Sequence, residues 1–165
     1  MQYADLRDKI QSGDIIAFAD DGGISNFIRW WTKEDYSHVA IAWHYGRHVM
    51  LIEAHLKTGV AIRPLSKALL DSDIVHHYTQ PQSYWSDNVE DYALKQWGDT
   101  YDLPECVLAG LDEPPEMHSH KFQCAALCWA VMRYGNVPLQ MSRATPGTFI
   151  KSIVALGSVC TPIDG

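Results

Sequence analysis

Three runs of apolar or alternating residues follow one another between positions 38 and 64, with only short turn signals between them. The runs are His38–Trp43, His48–Ala54 and Gly59–Pro64. They are separated by Tyr45-Gly46-Arg47 and by Lys57-Thr58-Gly59. Turns this short leave no room for the long crossover that a pair of parallel strands requires. The sequence therefore predicts an antiparallel β-meander.

Segments with helical character lie on both sides of this meander. The clearest covers Cys124–Tyr134 and ends at Gly135-Asn136. The other predicted elements are short: helices over Ala4–Gln11 and Asp87–Gln96, one capped by Ser25, one after Thr145-Pro146-Gly147, and strands at Ile15–Ala19 and Ile74–Tyr78. We expect an α+β fold, a small antiparallel sheet packed against helices. A chain of 165 residues is expected to form one domain, 1–165.

Charge and hydropathy exclude several classes of protein. The chain carries 13 basic and 20 acidic residues, a formal charge of −7, whereas nucleic-acid-binding proteins usually present a basic stripe. Its longest apolar stretches, such as Ile15–Ala19, are far shorter than the ~20 residues of a membrane-spanning helix. The first residues, MQYADLRDKI, do not resemble a secretory signal. We expect a cytoplasmic protein with reduced cysteines, and neither nucleic acid as a partner nor a transmembrane segment.

Cys124 lies where a non-periodic approach turns into the clearest predicted helix. A thiol at that point faces unpaired backbone N–H groups and the positive end of the helix dipole, and both favour the thiolate. The alternative for Cys124 is a small buried hydrophobic residue. Cys128 follows one turn later, between Leu127 and Trp129, and is predicted to pack in the core.

A cysteine nucleophile needs a base, and His38 is the favoured histidine of the eight in the chain. It opens a predicted strand that Val39 and Ile41 would anchor in the core. Glu53 follows four apolar residues on the neighbouring strand, and burying it without a partner would cost several kcal/mol. Paired with His38, it would fix the tautomer of the imidazole. The alternative is that the strand has reached solvent at Glu53. His55 ends the same strand and is a weaker candidate for the base.

A zinc site is an alternative to this interpretation. His118, His120, Cys124 and Cys128 provide four donors within eleven residues. Zinc sites usually draw on CxxC or HxxxH spacings with a knuckle turn, and Cys128 falls inside an apolar helix. The sequence therefore predicts neither metal ligands nor a cofactor.

Seven short motifs occur in a familiar order between about Ser12 and Phe149. They are SGDIIAF, SNFIRWWT, SHVAIAW, LIEA, GDTYD, FQCAALCW and TPGTF. In this order the chain resembles the YiiX-like, circularly permuted branch of the NlpC-type papain-like cysteine hydrolase superfamily. In that branch the histidine and its polar partner precede the cysteine.

The resemblance implies a permuted papain-like fold, with Cys124 as nucleophile, His38 as general base and Glu53 as the residue that orients the imidazole. Tyr101, in the motif that ends in Tyr-Asp, becomes a candidate substrate-binding residue at the cleft, unless it packs beneath the cysteine helix. Family members often have Ser or Thr and then an acid after the cysteine, whereas this chain has Ala125-Ala126. That departure concerns the substrate more than the nucleophile.

The function that follows is a cysteine-dependent amidohydrolase or peptidase acting through a thioester on a small amide, of which a peptidoglycan-derived peptide is one candidate. A first alternative is an acyltransferase or thioesterase acting on lipid, like the LRAT-like relatives of the superfamily. The chain shows neither their Asn-Cys-Glu-His type of motif nor a membrane-anchoring tail. A second alternative is a non-catalytic binding module on the same fold.

Overall fold

The computed structural model describes residues 1–19, 34–80, 84–101 and 121–164. Two earlier points fall outside these residues: the helix capped by Ser25, and the contribution of His118 and His120 to a zinc site. The described residues form an α+β fold, as predicted. None of their helices is both long and apolar enough to cross a bilayer.

Six strands form one antiparallel sheet, in the order β4-β3-β2-β1-β5-β8. Their bounds are β1 Ile15–Phe18, β2 His38–Tyr45, β3 His48–His55, β4 Gly59–Pro64, β5 Val75–Thr79 and β8 Val159–Ile163. The predicted meander is confirmed as β2-β3-β4. Gly46 supplies the positive φ of 59° that the tight β2–β3 turn requires. The resulting register sets Tyr45 opposite His48 and Ile41 opposite Ile52.

Five helices and a two-stranded parallel ribbon complete the described structure. Their bounds are α1 Tyr3–Leu6, α2 Leu65–Ala68, α3 Asp87–Lys95, β6 Thr100–Tyr101, β7 Lys121–Phe122, α4 Cys124–Tyr134 and α5 Pro146–Ala155. The cysteine helix α4 has the predicted bounds. Helix α5 begins as its sequence indicates, because the Thr145 hydroxyl accepts the Thr148 N–H and Pro146 occupies the first helical position.

The sheet separates two hydrophobic clusters. Helices α3, α4 and α5 cover one face, which we call the helix face, where Val39, Ile41 and Ile52 are fully buried. The opposite face, which we call the α1–α2 face, buries alternate strand residues beneath α1 and α2: Ile16, Phe18, Ala40, Ala42 and Leu51. Because strand side chains alternate between faces, neighbouring residues of one strand belong to different clusters.

Several elements differ from the sequence prediction. Helix α1 ends at Leu6 rather than at Gln11, and the Gln11 N–H donates instead to the carboxylate of Asp14 (2.8 Å). The pattern did not predict α2, the β6–β7 ribbon or β8. Strand β8 has exposed residues at Val159 and Cys160 and contains Pro162, so its alternation is weak. It lies at the edge of the sheet, where a proline is tolerated.

Candidate functional site

His38 and Glu53 are in direct contact. His38 is the first residue of β2, and its Nε2 lies 2.8 Å from Oε2 of Glu53 on β3. The Glu53 side chain is fully buried, whereas that of His38 is 16% exposed. The alternative that β3 has reached solvent at Glu53 is therefore wrong. The carboxylate instead has the partner that its burial demands.

Two further side chains surround the Glu53 carboxylate. The guanidinium Nε of Arg63, on β4, donates to Oε1, and Nε2 of His55, at the end of β3, lies 3.3 Å from the same oxygen. Burial by itself would raise the pKa of Glu53. The hydrogen bond from His38, the close contact of His55 and the charges of both imidazoles outweigh burial and lower that pKa well below its ordinary value. Glu53 is therefore an anion that its neighbours hold in place.

The chain enters α4 at the end of the sheet that carries His38. Backbone hydrogen bonds join Val60 of β4 to the two residues before β6 (2.8 and 3.0 Å), and β7 pairs with β6. Val60 pairs with Ala54, next to His55, whose ring centroid lies 4.8 Å from that of His38. Cys124 follows β7 after a single residue, so the cysteine helix begins at this end of the sheet.

The cysteine helix and the acid–imidazole pair lie on different sides of the strands. Helix α4 packs on the helix face, whereas alternation along β2 and β3 assigns His38 and Glu53 to the α1–α2 face. The structure thus joins His38 to Glu53 directly. It sets Cys124 at the same end of the sheet, on the helix that covers the opposite face.

The immediate surroundings of Cys124 include one amide that the sequence analysis missed. Cys124 and Gln123 are both buried, and Sγ lies 3.9 Å from Oε1 of Gln123. The Gln123 Nε2 is a buried donor without a hydrogen-bond partner among the described residues. A buried amide donor beside a thiol can stabilise negative charge that develops there. Its place directly before the cysteine was the signal that could have identified it.

None of the three described cysteines forms a disulfide, and their environments differ. Cys128 is fully buried in the core, as predicted, and burial raises the pKa of its thiol well above the ordinary value. Cys160 is exposed on the edge strand β8. Cys128 is therefore a poor nucleophile, and Cys160 offers an accessible thiol for comparison with Cys124.

Tyr101 closes the short strand β6, opposite Phe122 of β7. It is partly buried and packs against the helix-face cluster. This contact does not decide between the substrate-binding role and packing beneath the cysteine helix, so the role of Tyr101 stays a prediction.

Arg63 was not identified from the sequence as a site residue, and His55 was given less weight than His38. Both lie on strands of the predicted meander, and Arg63 reaches the carboxylate from the strand next to Glu53. A cation at the penultimate position of β4 was the available signal. It could be interpreted only with the register of β3 and β4.

Comparisons with known proteins link the chain to a solved structure. No protein-family model matches the chain, and no curated protein matches it. Among solved structures, the chain is similar to the metalloprotein YiiX from Escherichia coli O157:H7, with a TM-score of 0.59 and 19% sequence identity. The match covers 76% of this chain and 66% of the YiiX chain. It establishes a YiiX-like fold.

Proposed function

We propose that this protein is a cysteine-dependent hydrolase of small amides, with the permuted papain-like architecture of the NlpC-type superfamily. The observation that carries the proposal is the 2.8 Å contact between His38 and the buried carboxylate of Glu53. A buried carboxylate that accepts a hydrogen bond from an imidazole holds the ring in one tautomer, as in catalytic histidines. Here the imidazole lies at the start of a strand.

The contact assigns a role to each ring nitrogen of His38. Because the Glu53 carboxylate is an acceptor, the proton of the neutral ring belongs on Nε2. The lone pair is then on Nδ1, which accepts the proton of the Cys124 thiol. The thiolate attacks the amide carbonyl, and the imidazolium returns the proton to the leaving amine. Water then attacks the thioester, which releases the acid and restores the thiol.

This mechanism makes one demand on the geometry. His38 begins β2 and Cys124 begins α4, and both elements start at the same end of the sheet. The proposal requires Sγ and Nδ1 to meet beyond the end of β2, where no further strand residue separates the two faces. We expect the reacting carbonyl to bind in this place.

Two donors near the thiol are suited to an oxyanion. The first is the backbone N–H of Cys124 at the start of α4, and the second is the unpartnered Nε2 of Gln123. We expect Gln123→Ala to lower the acylation rate by roughly 10²–10³-fold, as loss of one oxyanion donor does in other hydrolases. An unchanged rate in this variant would remove Gln123 from the mechanism and leave the nucleophile in place.

The expected substrate is a small amide or peptide, and a peptidoglycan-derived peptide remains one candidate. The residues that follow the nucleophile, Ala125 and Ala126, are buried and apolar. They offer no polar group to a substrate. We therefore assign specificity to groups other than the first turn of α4. We propose the cytoplasm as the location of the protein.

The test is to trap the acyl-enzyme. The protein is incubated with a p-nitrophenyl ester and with a peptide p-nitroanilide, and the adduct is mapped by mass spectrometry. We expect an acyl group on Cys124, none in Cys124→Ala, and an unchanged adduct in Cys160→Ala, the control for an exposed thiol. An adduct confined to another cysteine, or none with either substrate, would contradict the proposal.

The same experiment distinguishes the alternatives. Acyl transfer from the thioester to a lipid alcohol in preference to water would identify an acyltransferase. Saturable binding of substrate without an adduct would identify a binding module.

A further inference from the structure

Three donor groups converge at the end of β2 and β3. One ring nitrogen from each of His38 and His55 and one carboxylate oxygen of Glu53 all lie within 4.8 Å of one another. The Glu53 carboxylate contacts both rings: Oε2 lies 2.8 Å from Nε2 of His38, and Oε1 lies 3.3 Å from Nε2 of His55. Ligand bonds of about 2.0–2.2 Å from a common centre hold donor atoms no more than about 4.4 Å apart, so the side chains would have to move closer together to bind one ion.

His55 is the residue that the proposed hydrolase leaves unexplained. Its Nε2 is buried and has no hydrogen-bond partner among the described residues, although it lies near the Glu53 carboxylate. A buried polar atom without a partner is costly and uncommon. The remainder of the ring is accessible, since the His55 side chain is 40% exposed. An ion that approaches from this exposed side would bind a buried nitrogen that otherwise lies 3.3 Å from the Glu53 carboxylate.

The donor set selects a class of ion. Two imidazole nitrogens and one carboxylate suit zinc and the neighbouring divalent transition metals, and Ca²⁺ and Mg²⁺ prefer sites made of oxygen alone. We propose that His38, Glu53 and His55 form a binding site for a divalent cation of the zinc class. A fourth position would be left to water on the exposed side of the two histidines.

Arg63 would compete with a bound cation for the Glu53 carboxylate. Its guanidinium contacts the Glu53 oxygen that faces His55, so an incoming cation has to displace it. The Arg63 side chain is 30% exposed, and its Nη1 lies 3.8 Å from the exposed Asp71, which offers the displaced charge another partner. The site therefore has two states, with either the guanidinium or the metal on Glu53.

The two states have opposite consequences for the hydrolase, and this step rests on the proposed function. A metal bound to Nε2 of His38 takes the place of the proton that Glu53 holds there. The imidazole is then a ligand and no longer a base oriented by Glu53. Occupancy of the site is therefore expected to stop the acylation of Cys124.

The test of binding uses Cys124→Ala, so that its outcome does not depend on hydrolysis. Zn²⁺ is titrated calorimetrically, and Co²⁺ is titrated with its visible absorption as a second readout. We expect one ion per chain and a Co²⁺ spectrum without thiolate charge transfer. His55→Gln should weaken binding by at least the ~10–100-fold that loss of an outer-shell partner already costs. His48→Gln, an exposed histidine of the same strand, should leave it unchanged.

Arg63→Gln gives the sharpest result, since removal of the competitor should tighten binding. Equal affinity in His55→Gln and the parent, a thiolate signature in a chain that retains Cys124, or no binding at millimolar Zn²⁺ would each overturn the metal site. If Zn²⁺ binds as expected but acylation of the wild type is unchanged, the metal site stands and only the expected inhibition of acylation is wrong. Failure of the hydrolase itself would show as an absent adduct in metal-free buffer.

Discussion

The same chemical pair, a carboxylate and an imidazole, occurs twice on the α1–α2 face, at the two ends of β1. His38 stands beside Phe18, the last residue of β1, and contacts Glu53. Asp14 directly precedes β1, and its Oδ2 lies 2.7 Å from Nε2 of His77 on β5. Both acids are buried, yet the two pairs have different surroundings.

Backbone groups surround the Asp14 pair. Its carboxylate accepts the N–H of Gln11 (2.8 Å) and that of Gln80 (3.1 Å), and the His77 side chain is only 1% exposed. Asp14 thus joins the segments that precede β1 and follow β5. Glu53, in contrast, is contacted by three side chains, and all three reach solvent. The donors to Asp14 are thus two backbone N–H groups and a buried imidazole, whereas those to Glu53 are side chains that reach solvent.

The largest expected effect is a difference in the acylation rate between variants of His38 and of His77. We expect His38→Ala to lower acylation of Cys124 by roughly 10²–10⁴-fold, the usual contribution of a general base. His77→Ala should leave the rate per folded molecule unchanged. Rates are measured with the p-nitroanilide and divided by the folded fraction from circular dichroism. Equal losses in the two variants would end the distinction between the pairs.

The next effect is the contribution of the Asp14 carboxylate to the free energy of unfolding. Asp14→Ala removes one partner of a buried pair and leaves two backbone donors without an acceptor. We expect a loss of about 3–5 kcal/mol in the free energy of unfolding, measured with urea. The matched control is Asp5→Ala, at an exposed position of α1, which should change stability by less than about 0.5 kcal/mol. If Asp14→Ala lowers the free energy of unfolding by as little as the control does, the Asp14–His77 pair does not stabilise the fold.

A smaller effect concerns the acid limb of stability. The folded-state pKa of Glu53 is lowered from 4.5, so its stabilising contribution is present above pH 4.5 and is lost as the pH falls below that value. Stability of the wild type should therefore fall more steeply below pH 4.5 than that of Glu53→Gln, which has no proton to gain. Urea unfolding of both proteins between pH 6 and pH 3 measures the difference. Parallel curves would indicate that Glu53 is not held as an anion.

The sequence predicted what local patterns determine. Turn spacing gave the meander, the change in periodicity at Cys124 gave α4, and the buried charge of Glu53 predicted a partner. The elements it missed depend on distant contacts. The ribbon β6–β7 has only two residues per strand. Strand β8 joins the sheet by pairing with β5, which is distant in sequence. The roles of Arg63 and His55 follow only from the strand register.

The central claim, that the His38–Glu53 pair activates Cys124, is tested most directly by alkylation at pH 6. Limiting iodoacetamide is added to the wild type and to His38→Ala, and labelling is mapped by peptide. A thiol at a helix N-terminus with an imidazole partner is a thiolate at a pH where ordinary thiols are not. The account predicts that Cys124 is labelled well before the exposed Cys160, that His38→Ala removes this advantage, and that Glu53→Gln reduces it less. Labelling of Cys124 no faster than Cys160, or at the same rate in His38→Ala, would contradict it.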